Sequence, residues 1–189
     1  MPRKGQNLDR YIRDAIEHSQ ALMMGKTPKK ARIIDGSLRP RKLMTDGLKY
    51  LRRLGPIRHF VRANGKWFEG RANVRNYPQA IYWRRKHRPQ PNQCFQNARE
   101  YCLAHPESRY FEGYYMITET PIDHAWVVLE DGMVLDFTHE AVIQKLKKDK
   151  GEVHITPPLY LGVEVPHDQL AVLRGLVGSN EPILAMYVK

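Results

Sequence analysis

Cysteine is scarce in this chain: 189 residues hold only Cys94 and Cys102. Two are too few for a disulfide scaffold. On one helix, eight residues would part them by about 12 Å, beyond disulfide reach. Two unbridged thiols suit a reducing compartment. Long apolar runs are also missing. The longest, Ile183 to Val188, falls far short of the twenty or so residues that span a bilayer. Met1-Pro2-Arg3-Lys4-Gly5 opens into a polar helical pattern with no apolar signal segment, so the default expectation is a cytoplasmic protein (host cytoplasm if the chain is viral) with no membrane partner. No glycine-rich phosphate loop occurs, since Gly162 to Gly178 lacks both phosphate-loop spacings. Cys94, Cys102, His105, His124 and His139 include metal-ligating types. They form no Cys-x-x-Cys or His-x-x-x-His pair, so no metal and no cofactor are expected.

Acidic residues are rare in one half only. Residues 1–90 carry 23 Lys/Arg against 6 Asp/Glu, a charge of +17, while residues 91–189 carry 8 against 14, a charge of −6. The whole chain is +11, with a hydrophobic fraction of 42% and a charged fraction of 27%. That composition is globular, and 189 residues bury enough surface to fold without staples. The charge split divides the chain into a basic N-terminal region, 1–90, packed on a core, 91–189.

Within the basic region, Leu8, Ile12, Ala15, Ile16, Leu22 and Met23 recur at helical spacing, predicting a helix over 8–24. A basic connector follows over 26–45. Asp46 caps a short helix with Leu48, Leu51 and Leu54. Residues 57–63 and 66–69 flank Asn64-Gly65, a hairpin signal. Pro89 and Pro91 break the chain. In the core, Asn92 is the expected cap of a helix bearing Phe95, Ala98, Tyr101 and Cys102 and ending before Pro106. Strands are predicted over 109–117, 123–129 and 133–137. Thr138 is the expected cap of a helix to Lys150. A strand over 159–165, a helix over 166–177 with Leu170, Leu173 and Leu176 inside, and a strand over 183–188 complete the chain. A helix followed by mostly sequential strands points to an α+β fold with a largely antiparallel sheet.

The chemistry-bearing segment is Cys94 at a helix start, then Asp123-His124-Ala125-Trp126, then Asp136-Phe137-Thr138. A thiol is a useful nucleophile near neutrality only when its pKa is lowered, which a helix N-terminus and a neighbouring imidazolium both do. A histidine takes the thiol proton and a carboxylate fixes the histidine's tautomer. Whether His124 and Asp136 meet depends on the hairpin between them. A two-residue Asp131-Gly132 turn puts Asp136 opposite Val127, on the face away from His124. A three-residue loop, Glu130-Asp131-Gly132, puts it opposite Trp126, one diagonal step of about 7–8 Å from His124. Turn chemistry permits both, since Gly132 suits the left-handed third position of the longer loop.

Cys, then His-Ala-Trp at a strand start, then Asp-Phe-Thr at the next strand's end resembles the transglutaminase-like core of the papain-like cysteine enzymes. The likeness covers roughly residues 92–138. It implies a helix carrying Cys94 packed on a mostly antiparallel sheet, with Cys94 as nucleophile, His124 as base and Asp136 as orienting carboxylate. Trp126 matches the tryptophan two places after the histidine and would line the pocket. The implied activity is that of a thiol-dependent hydrolase (a thiol protease or amidase) or acyltransferase acting on an amide or ester bond, with a protein or peptide-like substrate. Phe137 stands where the family has proline. Beside the Cys94 backbone amide, Asn92 and Gln93 are the side-chain candidates for an oxyanion site.

Blander readings stand beside these. Cys94 shares a helical face with Ala98 and Tyr101 and also reads as a core thiol. His124 reads as a strand-start histidine bonded to a loop, with His139 as a rival base. The basic clusters Lys29-Lys30, Arg41-Lys42, Arg52-Arg53 and Arg84-Arg85-Lys86, with Tyr82 and Trp83 beside the last, read either as solvated surface or as a site for nucleic acid or an acidic protein. The alternative from another class is a non-catalytic nucleic-acid- or virion-associated binding protein that keeps the fold as scaffold.

Overall fold

The computed structural model describes residues 56–116, 121–150 and 157–186, and of 146–150 the backbone alone. The helices expected over 8–24 and after Asp46, the connector between them, and Lys29, Lys30, Arg41, Lys42, Arg52 and Arg53 lie outside these residues.

The architecture is α+β. Five strands, β1 (Lys66–Glu69), β2 (Arg109–Met116), β3 (Ile122–Val128), β4 (Val134–Leu135) and β5 (Leu159–Val165), form one sheet in the order β1-β5-β2-β3-β4. Every pairing in it is antiparallel. Among the described residues five α-helices accompany it: α1 (Pro56–Asn64), α2 (Pro78–His87), α3 (Cys94–Ala104), α4 (Phe137–Lys150) and α5 (His167–Leu173). Among the described residues no helix is long and apolar enough to cross a membrane.

Alternation along the strands sorts side chains onto two faces. Tyr110, Tyr114, Ala125 and Val127 join Phe95, Ala98, Tyr101 and Cys102 of α3 in the main core. Phe111, Tyr115, Trp126, Val128 and Tyr160 form a smaller aromatic cluster on the other face. The described part of the basic region is built into the same body. β1 pairs with β5, and Trp83 of α2 packs on Tyr101 and Phe137.

Several local expectations are corrected. Residues 57–63 are helix and not the first arm of a hairpin. Pro56 suits a first helical position, Ile57, Phe60 and Val61 fall at helical spacing, and the Gly65 amide closes on the Val61 carbonyl at 2.8 Å. The Asn64-Gly65 pair therefore ends a helix. Gln93, not Asn92, is the residue before α3, and it makes no side-chain cap bond. Asp136, not Thr138, caps α4: its Oδ1 accepts the His139 amide at 2.9 Å. The helix after Pro166 stops at Leu173, leaving Leu176 exposed. Residues 183–186 form a 3-10 turn instead of a strand, because the Glu112 carboxylate accepts the Ile183 and Leu184 amides, both at 2.8 Å.

Candidate active site

Cys94 is the first residue of α3, so its amide is one of those at a helix start that no intrahelical carbonyl can take. Asn97, one turn on, donates both to the Gln90 carbonyl and to Thr138 Oγ1, each at 2.8 Å. The amide of one side chain thus joins the start of the Cys94 helix to the start of the Asp136-capped helix.

The hairpin between β3 and β4 takes the three-residue register. Val127 stands opposite Leu135 and Val128 opposite Val134. The Gly132 amide bonds to the Leu129 carbonyl at 2.9 Å, and Gly132 has φ +84°. Asp131 stiffens the loop, accepting the Met133 amide at 2.9 Å and the Tyr77 hydroxyl at 2.7 Å. Asp136 therefore falls on the His124 face. His124 Nε2 and Asp136 Oδ2 are 2.7 Å apart, with both side chains fully enclosed.

Asp136 is the hub of this site. Oδ2 accepts from His124 Nε2 and, at 3.0 Å, from the Tyr160 hydroxyl, while Oδ1 holds the His139 amide. Burial opposes its charge, but His124, with help from His139, overcomes that and holds the carboxyl down at about 2. Burial likewise opposes an imidazolium at His124. Asp136 and then Cys94 outweigh it and push His124 up to about 10. Cys94 is thus an electrostatic neighbour of this ring. Nδ1 has no aligned partner in the resting geometry, which leaves the contact with the thiol loose; catalytic contacts commonly tighten only when substrate is bound.

Rings frame the imidazole. Tyr115 lies 4.5 Å from it between centroids and Tyr160 6.3 Å. Trp126 stacks at 6.4 Å with an interplanar angle of 18°. Trp126 is fully buried, so it walls the histidine instead of offering a surface to solvent. His139 is placed in the first turn of α4, its Nδ1 3.0 Å from the Tyr115 hydroxyl. Burial holds its pKa down to about 4, so it is neutral near pH 7.

Both cysteines are buried in the main core, Cys94 with 5% of its surface exposed and Cys102 with none. Burial pushes the Cys102 thiol up to about 12, while Ser108 Oγ, 3.5 Å from its sulfur, works the other way. Cys102 is therefore inert near neutrality. Of the oxyanion candidates, Asn92 is exposed, and its carbonyl accepts the Asn180 amide at 2.7 Å. Gln93 is half-buried at the helix start. Arg84 pairs with Glu140 at 3.5 Å, whereas Arg85 and Lys86 are exposed. Trp83 is buried and Tyr82 is 69% exposed. Among the described residues no three histidine, cysteine, aspartate or glutamate side chains stand together as metal ligands.

Residues that sequence reasoning missed are Tyr160, Tyr115, Asn97 and Glu112. Tyr160 and Tyr115 read only as strand aromatics, and Asn97 as a polar helix position. The one legible hint was Glu112, a carboxylate among aromatic strand residues. No family model, curated protein or solved structure matches the chain.

Proposed function

We propose that the chain is a thiol-dependent hydrolase or acyltransferase with a transglutaminase-like, papain-like core, acting on an amide or ester of a protein or peptide-like substrate. The observation that carries the reading is the ordered trio: Cys94 at a helix start, coupled to His124, whose far nitrogen sits on Asp136 at 2.7 Å. The Cys94 sulfur, having passed its proton to His124, attacks the carbonyl carbon. Backbone amides at the start of α3 meet the oxygen as it gains charge. His124 then protonates the departing amine or alkoxide, leaving an acyl group on sulfur. Water or an amine, deprotonated by His124, releases the acyl group and restores the thiol. Two free thiols fit a reducing compartment such as the cytoplasm.

Iodoacetamide at mildly acid pH tests this. Cys94 should label fast, Cys102 slowly, and the fast phase should vanish in His124→Ala. Slow, equal labelling of both cysteines removes the activated thiol. A Cys94→Ala chain used as a substrate trap then names the carbonyl attacked.

A second activity is favoured by one face of α2. Tyr82 is 69% exposed, and Arg85 and Lys86, three and four residues on, share its side of the helix. An open aromatic ring flanked by cations suits single-stranded nucleic acid, with a base stacked on the ring and phosphates on the cations. Affinity for a generic oligonucleotide should fall steeply with salt and weaken in Tyr82→Ala. A salt slope near zero removes polyanion binding.

A further inference from the structure

Asp136 Oδ2 is shared. It accepts from His124 Nε2 at 2.7 Å and from the Tyr160 hydroxyl at 3.0 Å, while Oδ1 is taken by the His139 amide at 2.9 Å. Tyr160 is fully buried on β5, and its phenol is held well above its ordinary pKa, chiefly by burial and then by Asp136. It is a permanent donor. Its ring also lies against Trp126 at 5.0 Å and Tyr115 at 5.6 Å, which fixes where the hydroxyl points.

We propose that Tyr160 is a positioning residue of this site: by sharing Asp136 Oδ2 with His124, it orients the carboxylate and weakens its hold on the imidazole proton. The proposal rests on the acyl-transfer reading for its purpose. In that reaction His124 must first keep a proton and then surrender it to a leaving group. A carboxylate serving the imidazole alone would stabilise the imidazolium so strongly that the second step would suffer. A second donor on the same oxygen draws off part of its negative charge.

The charged and titratable groups around the imidazole are Asp136, Cys94, Tyr115, Tyr160 and His139, and Arg71 is felt by Tyr115, Tyr160 and His139. Of these, only Tyr160 and the His139 backbone donate to the carboxylate beside His124 Nε2. Tyr115 offers a built-in control, because its hydroxyl goes to His139 Nδ1 at 3.0 Å and not to Asp136.

The test is a titration of His124 followed by nitrogen NMR on uniformly labelled full-length chain. Tyr160→Phe should move the His124 midpoint upward by about one pH unit and carry its Nε2 proton further downfield. Tyr115→Phe should leave both where they are. Site-specific 3-fluorotyrosine at position 160, a stronger donor in a nearly unchanged shape, should move the midpoint downward, and it serves if Tyr160→Phe folds poorly. An unchanged or lowered midpoint in Tyr160→Phe, or an unchanged or raised one with fluorotyrosine, overturns the proposal. The readout needs no substrate. Slow labelling at Cys94 with an intact His124 response would sink the acyl-transfer reading and leave the role of Tyr160 standing.

Discussion

His124 and Asp136 share one face of the sheet because the hairpin loop closed by the Leu129 amide on the Met133 carbonyl holds three residues, Glu130-Asp131-Gly132, and not two. Removing one residue from the pairing offset would turn Asp136 to the other face. The loop therefore decides whether the site exists, and its geometry rests on Gly132 at φ +84°. An L-residue there is strained by about 1–2 kcal/mol. Gly132→Ala should lower stability by that amount in urea unfolding. Open space around the position means the cost is backbone strain alone.

The two buried histidines should give the chain a narrow stability optimum. His124 is raised from 6.5 to about 10, so its contribution is full below pH 6.5 and is lost as pH climbs toward 10. His139 is lowered from 6.5 to about 4, so its contribution is present above pH 6.5 and is lost as pH falls toward 4. The two limbs meet near pH 6.5. Denaturant midpoints taken from pH 4 to pH 10 should form a dome there, losing a few kcal/mol on each side. His139→Gln should flatten the acid limb and leave the alkaline limb unchanged.

Gly162 leaves no room for a side chain. A Cβ there would overlap the Trp126 ring and approach the Glu112 carbonyl to 2.6 Å. The ring cannot retreat, since it is fully buried between Phe68, Phe111 and Tyr160. Gly162→Ala should cost about 1–3 kcal/mol by overpacking. Because Trp126 stacks on His124, it should also change the His124 titration, whereas Gly178→Ala, where the neighbour is an exposed glutamate side chain, should not.

How far the sequence could be read follows from distance along the chain. The Cys94 helix, the His124 strand and the β5 strand depended on local periodicity, and the three-residue loop on one glycine. Asn64-Gly65 misled because the same pair turns a hairpin and ends a helix; Pro56 and the spacing of Ile57, Phe60 and Val61 decide for the helix. Residues 183–186 misled because an apolar run reads as strand until a buried carboxylate from β2 takes its amides. Tyr160 was invisible for a topological reason. β5 inserts between β1 and β2, and its aromatic face is brought to Asp136 only by that crossover.

Asn97 ties the two halves of the site together, and its loss should separate stability from reactivity. Its amide holds the Gln90 carbonyl and Thr138 Oγ1, both at 2.8 Å, in a buried setting. Asn97→Ala leaves the buried Thr138 hydroxyl without this donor, at about 1–3 kcal/mol. The chain should still fold, since the core of α3 is untouched. The start of α3 should then drift from the start of α4, slowing Cys94 alkylation severalfold while Cys102 stays slow. Fast labelling of Cys102 would instead report general loosening.

Asp136→Asn puts the hub to its strictest test. The carboxylate serves three donors with two oxygens: His124 Nε2 and Tyr160 on one, the His139 amide on the other. An amide has one oxygen, so its NH2 must face either the helix amide or the imidazole and phenol pair. In the first orientation the α4 cap is lost, at about 1 kcal/mol. In the second, two donors meet a third, and His124 loses its anchor. In both, the negative charge that sustains the imidazolium is gone. The His124 midpoint should drop below 7, and the loss of stability between pH 6.5 and 10 should disappear. Cys94 alkylation at pH 5 to 6 should fall by tenfold or more, since the thiol then has no charged partner. A variant that keeps its alkaline limb and its fast thiol would show that Asp136 caps a helix and does nothing for the histidine.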